Sequence, residues 1–204
     1  MAEKLKCVER DNLLSNGKLE SVASHCWMLG LMAMLLAPKM KRKVNMERAL
    51  KMIIAHDIAE AITGDLPLWK ALKYPKLKEN KKKEEARAMA KMKKIIPAEA
   101  ARELLALCDE YEANKTPEAK FVKGLDKMEA IFQANVFHDI RYWGKMYDDI
   151  YYTCVLDKDE RREQYFKHDP LMVEISSFFK ELTEKRMRKA GLDPEKYRTK
   201  TAKK

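Results

Sequence analysis

Residues 46–64, MERALKMIIAHDIAEAITG, decide the local fold and contain the most informative pair of side chains in this chain. Apolar residues recur at helical spacing from Met46 to Ile62, and Gly64 follows the last turn, so this segment is predicted to form one helix. Neighbouring helical side chains diverge by about 100°, because one turn holds about 3.6 residues. The imidazole of His56 and the carboxylate of Asp57 can still converge on one ion lying over the groove between them.

A second carboxylate shares this face of the predicted helix. Glu60 lies four residues after His56 and three after Asp57, which is the spacing of side chains that meet on a helix. One face therefore offers a nitrogen ligand, an oxygen ligand and a carboxylate placed to handle a water molecule. Such a face is half of a divalent-metal site, and the other ligands have to come from elsewhere in the chain.

Two other segments supply candidates. His25 lies at the start of an apolar helix that ends before Pro38. Asp126 lies in another helical pattern, next to the apolar position Leu125, and so borders the buried face. A carboxylate at such a position needs a partner, because an unpaired buried charge is costly. A metal ion would be one such partner.

Each candidate also has a purely structural interpretation. The histidines can be hydrogen-bonded core or boundary residues, and Glu60 can be a solvated helix charge. Asp126 can simply pair with a neighbouring lysine, Lys123 or Lys127. Residue type alone does not decide between these interpretations and a metal site.

The spaced set His25, His56-Asp57 and Asp126 resembles the H…HD…D signature of the HD-domain phosphohydrolases. Within that superfamily the chain is most similar to the small single-domain 5′-nucleotidases, which include the bacterial 5′-deoxynucleotidases. The similarity covers roughly residues 3–180, and its order and flanks favour the metal interpretation. The matching stretches are Leu5 through Arg10, Glu20-Ser21 with His25-Cys26-Trp27, Ala55 through Glu60, Gly64-Asp65, and Phe121 through Lys127.

The resemblance implies a metal-dependent phosphomonoesterase that hydrolyses nucleoside 5′-monophosphates through a water molecule activated at the metal. His25, His56, Asp57 and Asp126 would then hold one divalent cation and leave positions open for water and a phosphate oxygen. Mixed nitrogen and oxygen ligands do not choose among Mn²⁺, Co²⁺, Zn²⁺, Mg²⁺ and Fe²⁺. The resemblance also implies a homodimer.

The roles of three further residues follow from the same resemblance. Glu60 is the candidate to orient the water or accept its proton. Asp65 contacts the substrate and assists either the water or the leaving oxygen, two roles that the sequence does not separate. Arg10 binds the phosphate, a task suited to the fork of a guanidinium group.

One residue departs from the pattern of the bacterial enzymes. Their residue after the equivalent arginine is a tryptophan that packs on the sugar, whereas here it is Asp11. The preference for ribose or deoxyribose therefore stays open. Two alternatives stay open as well, namely an HD phosphohydrolase that acts on a different phosphoester and a non-catalytic basic binding module.

The rest of the sequence predicts an all-α fold, a single compact HD-domain bundle of six or seven helices over residues 1–190. Thr116-Pro117 and Asp169-Pro170 each indicate an N-cap followed by proline in the first turn. The densely charged stretch Lys76–Lys94 is interpreted as a solvated helix or mobile connection, with a cover over the active-site mouth as the alternative.

Charge is concentrated at the end of the chain. The net charge is +10, and residues 186–204 alone contain eight Lys or Arg and two acids. We expect residues 191–204 to form a basic, disordered tail that attracts polyanions without specificity. No nucleic-acid-binding motif accompanies the tail, so specific recognition of DNA or RNA is not expected.

The cysteines and the apolar segments predict where the protein works. Four scattered cysteines without a CxxC pair suggest free thiols in a reducing compartment. The longest apolar run, Cys26–Pro38, is too short to span a bilayer. A cytoplasmic enzyme without membrane attachment is expected.

Overall fold

The computed structural model describes residues 1–137 and 165–195, apart from the side chains of residues 68, 69 and 72. Within these ranges, six helices have ten or more residues, and the predicted all-α fold is confirmed. The eight α-helices of the described chain are α1 (Val22–Leu36), α2 (Met46–Ala55), α3 (Glu60–Thr63), α4 (Leu68–Lys73), α5 (Pro75–Met92), α6 (Ala98–Ala113), α7 (Pro117–Phe137) and α8 (Pro170–Lys189).

Helix α7 is the centre of the bundle and contacts α1, α2, α6 and α8. Its apolar face (Phe121, Val122, Leu125 and Met128) is almost completely buried. Leu29 of α1 and Met52 of α2 belong to the same core. Burying a large apolar side chain contributes about 1.5–3 kcal/mol. The helices that carry the predicted metal ligands are therefore held together by one continuous core.

Side-chain caps set the start of several helices. The Asp169 carboxylate accepts a hydrogen bond from Leu171 N at 3.0 Å, and Thr116 Oγ1 accepts one from Ala119 N at 3.1 Å. Both caps precede a proline in the first turn, as the sequence predicts. Asp169 also accepts from Arg42 N at 3.1 Å, which ties the start of α8 to the α1–α2 connection.

The prediction of one helix over Met46–Ile62 is wrong, because the chain leaves the α-helix at His56 and re-enters it at Glu60. His56 Nδ1 lies 2.8 Å from the carbonyl oxygen of Ile53, which would accept the Asp57 amide if the helix continued. The backbone tightens here: Glu60 N donates to Asp57 O at 3.0 Å, three residues back. This turn presents the His-Asp pair from a bend instead of from a regular helical face.

A small antiparallel hairpin was missed by the sequence analysis. It consists of β1 (Glu9–Leu13) and β2 (Leu19–Ser21), with Glu9 opposite Ser21 and Leu13 opposite Leu19. Its signal was the Asn16-Gly17 pair: Gly17 has a φ of 79°, which favours glycine, and Asn16 Oδ1 accepts from Lys18 N at 2.9 Å. The strands are too short to hold an alternating pattern, but they place Arg10 beside the predicted ligands.

One segment has the length and composition of a membrane span. Val22–Lys39 has a mean hydropathy of 1.2 over 18 residues. Within this fold, His25, Leu29 and Ala33 of that segment are buried in the bundle, whereas Trp27 and Met34 are exposed.

Three predictions fall wholly or partly on other residues. The aromatic residues between 142 and 152, which the sequence suggests pack at a core edge or a dimer face, lie outside the described ranges. So do His138, interpreted as a surface or structural residue, and the tail from residue 196 onward. Helix α8 ends at Lys189 and is followed by Gly191 with a φ of 76°. The division into a domain of residues 1–190 and a tail of 191–204 stays a prediction.

Two helical glycines provide a matched test of this packing. A Cβ at Gly124 would lie 2.6 Å from Met172 Cε and 3.0 Å from Tyr165 O, whereas at Gly30 its nearest neighbour would be 3.9 Å away. We expect Gly124→Ala to lower the free energy of unfolding by about 1–2 kcal/mol through overpacking. Gly30→Ala should raise it by roughly 0.5–1 kcal/mol through helix propensity. Urea unfolding measures both, and equal effects would contradict the close α7–α8 contact.

Candidate active site

Four predicted ligands lie together where α1, α7 and the bend after α2 meet. His25 Nε2 lies 3.3 Å from Asp126 Oδ1, and His56 Nε2 lies 3.1 Å from Asp57 Oδ2. The centroids of the His25 and His56 rings are 5.8 Å apart. One ligand atom from each of His25, His56 and Asp126 lies within 4.8 Å of the others. The fold therefore joins ligands that are up to 101 residues apart in sequence (126 − 25).

The imidazole nitrogens that face this centre fit a divalent cation. Nε2 of His25 and Nε2 of His56 are buried without a well-directed hydrogen bond to any described residue. A buried polar atom without a well-directed hydrogen bond is costly, and two such nitrogens beside two carboxylates are a typical metal donor set. The described residues thus contain a group able to hold a metal ion.

The opposite nitrogen of each ring is fixed. His25 Nδ1 lies 2.8 Å from Glu129 Oε2, and His56 Nδ1 lies 2.8 Å from the carbonyl oxygen of Ile53. When Nδ1 donates its proton to such an acceptor, the lone pair of Nε2 is free for a metal. The role of Glu129 was missed, although its position three residues after Asp126 would have placed it on the same face of α7.

Asp126 is held by groups besides His25. Its Oδ2 accepts from the Tyr111 hydroxyl at 2.8 Å and from Lys127 Nζ at 2.8 Å. Burial alone would raise the pKa of Asp126, but the charge of Lys127 and the contact with His25 hold it well below its usual range. The structural interpretation of Asp126, a pair with Lys127, is therefore present in addition to the ligand cluster.

Arg10 reaches the cluster from β1. Its Nη1 lies 3.6 Å from Asp57 Oδ2, and its Nε lies 3.4 Å from Glu20 Oε2. Glu20 is fully buried, and its other oxygen accepts from Gln133 Nε2 at 3.2 Å. Burial would lower the pKa of Arg10, but Asp57 and Asp126 outweigh it, so the pKa lies above its ordinary value. The guanidinium is a permanent positive charge at the rim of the ligand cluster.

Glu60 and Asp65 flank the same centre. Burial, together with the charges of Asp57 and Asp65, raises the pKa of the Glu60 carboxyl to about 8. Burial also raises the pKa of Asp65, against the lowering effect of Arg10. Glu60 Oε1 lies 3.4 Å from Lys81 Nζ, whereas its Oε2 is buried without a hydrogen-bond partner within the described part of the chain. Nothing in the sequence distinguishes Lys81 from the other lysines of residues 76–94.

Known proteins resemble this chain over most of its length. The family model described as "HD domain" matches residues 2–169. The chain belongs to the HD-domain family. A Xenopus laevis protein named 5′-deoxynucleotidase HDDC2 is 33% identical over 165 residues, which are 80% of this chain and 74% of that protein. A Schizosaccharomyces pombe protein named 5′-deoxynucleotidase hdd1 is 38% identical over 136 residues, 64% of this chain and 65% of that protein.

Coverage of the mammalian relatives is partial. The human 5′-deoxynucleotidase HDDC2 is 34% identical over 132 residues, which span 65% of this chain and 61% of the human protein. Among solved structures, a Magnetospirillum magnetotacticum protein titled "Predicted metal-dependent phosphohydrolase" superimposes with a TM-score of 0.75 at 26% identity. That match covers 95% of this chain and 91% of the other.

Removal of one imidazole tests the ligand set directly. We expect the wild-type protein to bind one Mn²⁺ per chain in calorimetric titration, and His56→Ala to bind it at least about tenfold more weakly, since a nitrogen donor is lost. His168→Ala is the matched control, because both ring nitrogens of His168 are also buried and unpartnered within residues 1–137 and 165–195, yet they lie outside the cluster. Equal affinity in wild type and His56→Ala would contradict the proposed ligand set.

The affinity for metal should also depend on pH. Burial and the charge of Arg10 would lower the pKa of His25, but its contacts with Asp126 and Glu129 raise it to about 9 in the metal-free protein. Below that pH the metal has to displace a proton, so apparent affinity should rise with pH between 6.5 and 8.5 by up to ~10-fold per pH unit. Calorimetry at three pH values in this window measures the slope. A flat profile would show that His25 is not the protonated competitor.

Proposed function

We propose that this protein is a metal-dependent phosphomonoesterase that hydrolyses 2′-deoxynucleoside 5′-monophosphates to a nucleoside and phosphate. The observation that carries the proposal is the pair of buried Nε2 atoms of His25 and His56, which have no well-directed hydrogen bond and lie beside Asp126 and Asp57. Arg10 is within reach of the same group. The names of the relatives, which are 32–38% identical to this chain, support the choice of substrate.

His25, His56, Asp57 and Asp126 would hold the divalent ion. When bound, the ion supplies charge that polarises a phosphoryl group and favours ionisation of a water molecule near neutral pH. The metal itself stays open among Mn²⁺, Co²⁺, Zn²⁺, Mg²⁺ and Fe²⁺, because imidazole and carboxylate ligands suit several of them.

Arg10 binds the phosphate of the substrate. Its present contacts with Glu20 and Asp57, at 3.4 and 3.6 Å, are loose for charged hydrogen bonds. A phosphate offers the guanidinium two oxygens at once, so it can replace these contacts with a shorter, bidentate pair. The permanent positive charge of Arg10 also offsets repulsion between the phosphate and the surrounding carboxylates.

Glu60 and Asp65 move and orient the protons. Burial and the charges of Asp57 and Asp65 raise the pKa of the Glu60 carboxyl to about 8, which is close enough to neutral pH for this group to exchange a proton with water. Oε2 is the atom for this step, because Oε1 is near Lys81. Asp65 contacts the substrate and assists either the water or the leaving 5′-oxygen of the sugar.

The assembly and location of the enzyme are further parts of this proposal. Helix α1 exposes one apolar face (Trp27, Leu31, Met34 and Leu35), with Trp27 67% and Met34 62% exposed. An apolar face of this kind favours association, and we infer that it joins two copies in a homodimer. The free thiols of Cys7, Cys26 and Cys108 support a reducing, cytoplasmic setting.

The function is tested by phosphate release from a panel of ribo- and deoxyribonucleoside 5′-monophosphates with added Mn²⁺, Co²⁺ or Mg²⁺. We expect metal-dependent release that favours the deoxy substrates, and a loss of at least about 100-fold in Asp57→Ala, because one metal ligand is missing. Asp109→Ala removes an equal charge from an exposed site and should keep full activity.

The outcomes separate the alternatives. A ratio near one between ribose and deoxyribose substrates would show that Asp11 has broadened the sugar preference. Bound metal without release from any monophosphate would overturn the nucleotidase assignment in favour of another phosphoester. Absence of both metal and turnover, with salt-sensitive binding to polyanions, would identify a basic binding module instead.

A further inference from the structure

Lys81 differs from the other lysines of α5. The helix is densely charged and mostly exposed, as expected for a solvated helix. The side chain of Lys81, however, is only 12% exposed, whereas that of Lys83, two residues later, is 62% exposed. A buried ammonium group is costly unless it is fully paired. The position of Lys81 therefore needs a reason beyond solubility.

The ammonium group of Lys81 is paired with the end of α3. It donates to Thr63 Oγ1 at 2.9 Å and to the carbonyl oxygen of Gly64. Glu60 Oε1 lies 3.4 Å away, and Glu85 Oε1, one turn later on α5, lies 3.5 Å away. Three of these four acceptors belong to the segment that carries the proposed proton-transfer residues.

That segment has little rigidity of its own. Helix α3 has only four residues, fewer than an isolated helix needs for stability. It ends at Thr63 and is followed by Gly64, whose φ of 75° turns the chain toward Asp65. A cation at a helix C-terminus satisfies free carbonyl groups and interacts favourably with the helix dipole. Lys81 supplies this cation from a neighbouring element.

We propose that Lys81 is a positioning residue of the active site, which fixes the α3 turn so that Glu60 and Asp65 face the metal-ligand cluster. Its catalytic consequence rests on the proposed function, but the fixing of the turn does not. The charged stretch of α5 is thereby part of the site instead of a solvated connection alone.

The charges around Glu60 make this role measurable. Burial and the charges of Asp57 and Asp65 raise the pKa of Glu60, whereas Lys81 and Arg10 lower it. Glu85 faces the same ammonium group from α5. When the positive charge of Lys81 is removed, repulsion from Asp57 and Asp65 is opposed less, so the Glu60 carboxyl should ionise at a higher pH. The acidic limb of the pH–rate profile should therefore move to higher pH.

The first test is independent of activity and uses the full-length, metal-free protein. Hydrogen exchange of the backbone amides of residues 60–65 is compared in wild type, Lys81→Met and Lys82→Met. Lys82 is the matched control, since it is the exposed neighbour on the same helix. We expect exchange in this segment to be at least tenfold faster in Lys81→Met and unchanged in Lys82→Met. Unchanged exchange in Lys81→Met would overturn the proposal.

The second test is kinetic and uses protein saturated with Mn²⁺, with dAMP as substrate. A positioning role predicts a 10–100-fold loss of kcat in Lys81→Met and little change in KM. The acidic limb of the pH–rate profile should also move to higher pH. A raised KM with unchanged kcat would assign Lys81 to phosphate binding and overturn the positioning role. Lys82→Met should match wild type in all three measurements.

A milder variant covers the case in which Lys81→Met folds poorly. Thr63→Val keeps the side-chain shape but removes the acceptor at 2.9 Å, so it should give smaller effects in the same direction. If wild type itself releases no phosphate, the nucleotidase proposal fails while the exchange result still decides the role of Lys81. Wild-type activity with normal kcat and pH profile in both variants would overturn the role of Lys81 alone.

Discussion

Repulsion among buried carboxylates is the constraint on which this structure depends. Glu20, Glu60, Asp126 and Glu129 are all buried, and Asp57 lies beside them. Carboxylates in one low-dielectric region resist simultaneous ionisation, which is why the pKa of Glu20 rises to about 7 through burial and the charge of Glu129. The cations of Arg10, Lys81 and Lys127 reach this region from β1, α5 and α7. In the proposed site, a divalent ion held by His25, His56, Asp57 and Asp126 would add the positive charge that these carboxylates favour.

The bend at His56 shows how a local conflict serves the site. The apolar periodicity of Met46–Ile62 favours one helix, but the ring of His56 binds the carbonyl of Ile53 and the next turn tightens. A regular helix would direct adjacent side chains about 100° apart, whereas the bend sets His56 Nε2 3.1 Å from Asp57 Oδ2. Functional sites are where a violated local rule is most expected.

Most of the helices and the caps before Pro117 and Pro170 could be predicted from the sequence, because apolar periodicity and capping residues are local patterns. The joint choice of His25, His56-Asp57 and Asp126 came from the resemblance to the HD-domain phosphohydrolases, because no local pattern links residues so far apart in the chain. It missed the hairpin, since strands of five and three residues are too short to show alternation. It also missed the roles of Glu129 and Lys81. Charged residues are common on helices, and only the packing of α7 and α5 shows which ones are turned inward.

Two of the four proposed ligands are adjacent in sequence, and the other two lie far from them in the chain. His56 and Asp57 are neighbours in any conformation, whereas the contact between His25 and Glu129 closes a separation of 104 residues. Contacts of this range form late in folding, because their loop-closure entropy has to be overcome first. An unfolded or partly folded chain can therefore offer only the local pair, and the proposed metal binding would distinguish the completed fold from its precursors. In a cell, metal supply would then act on the lifetime of this protein as well as on its turnover of substrate.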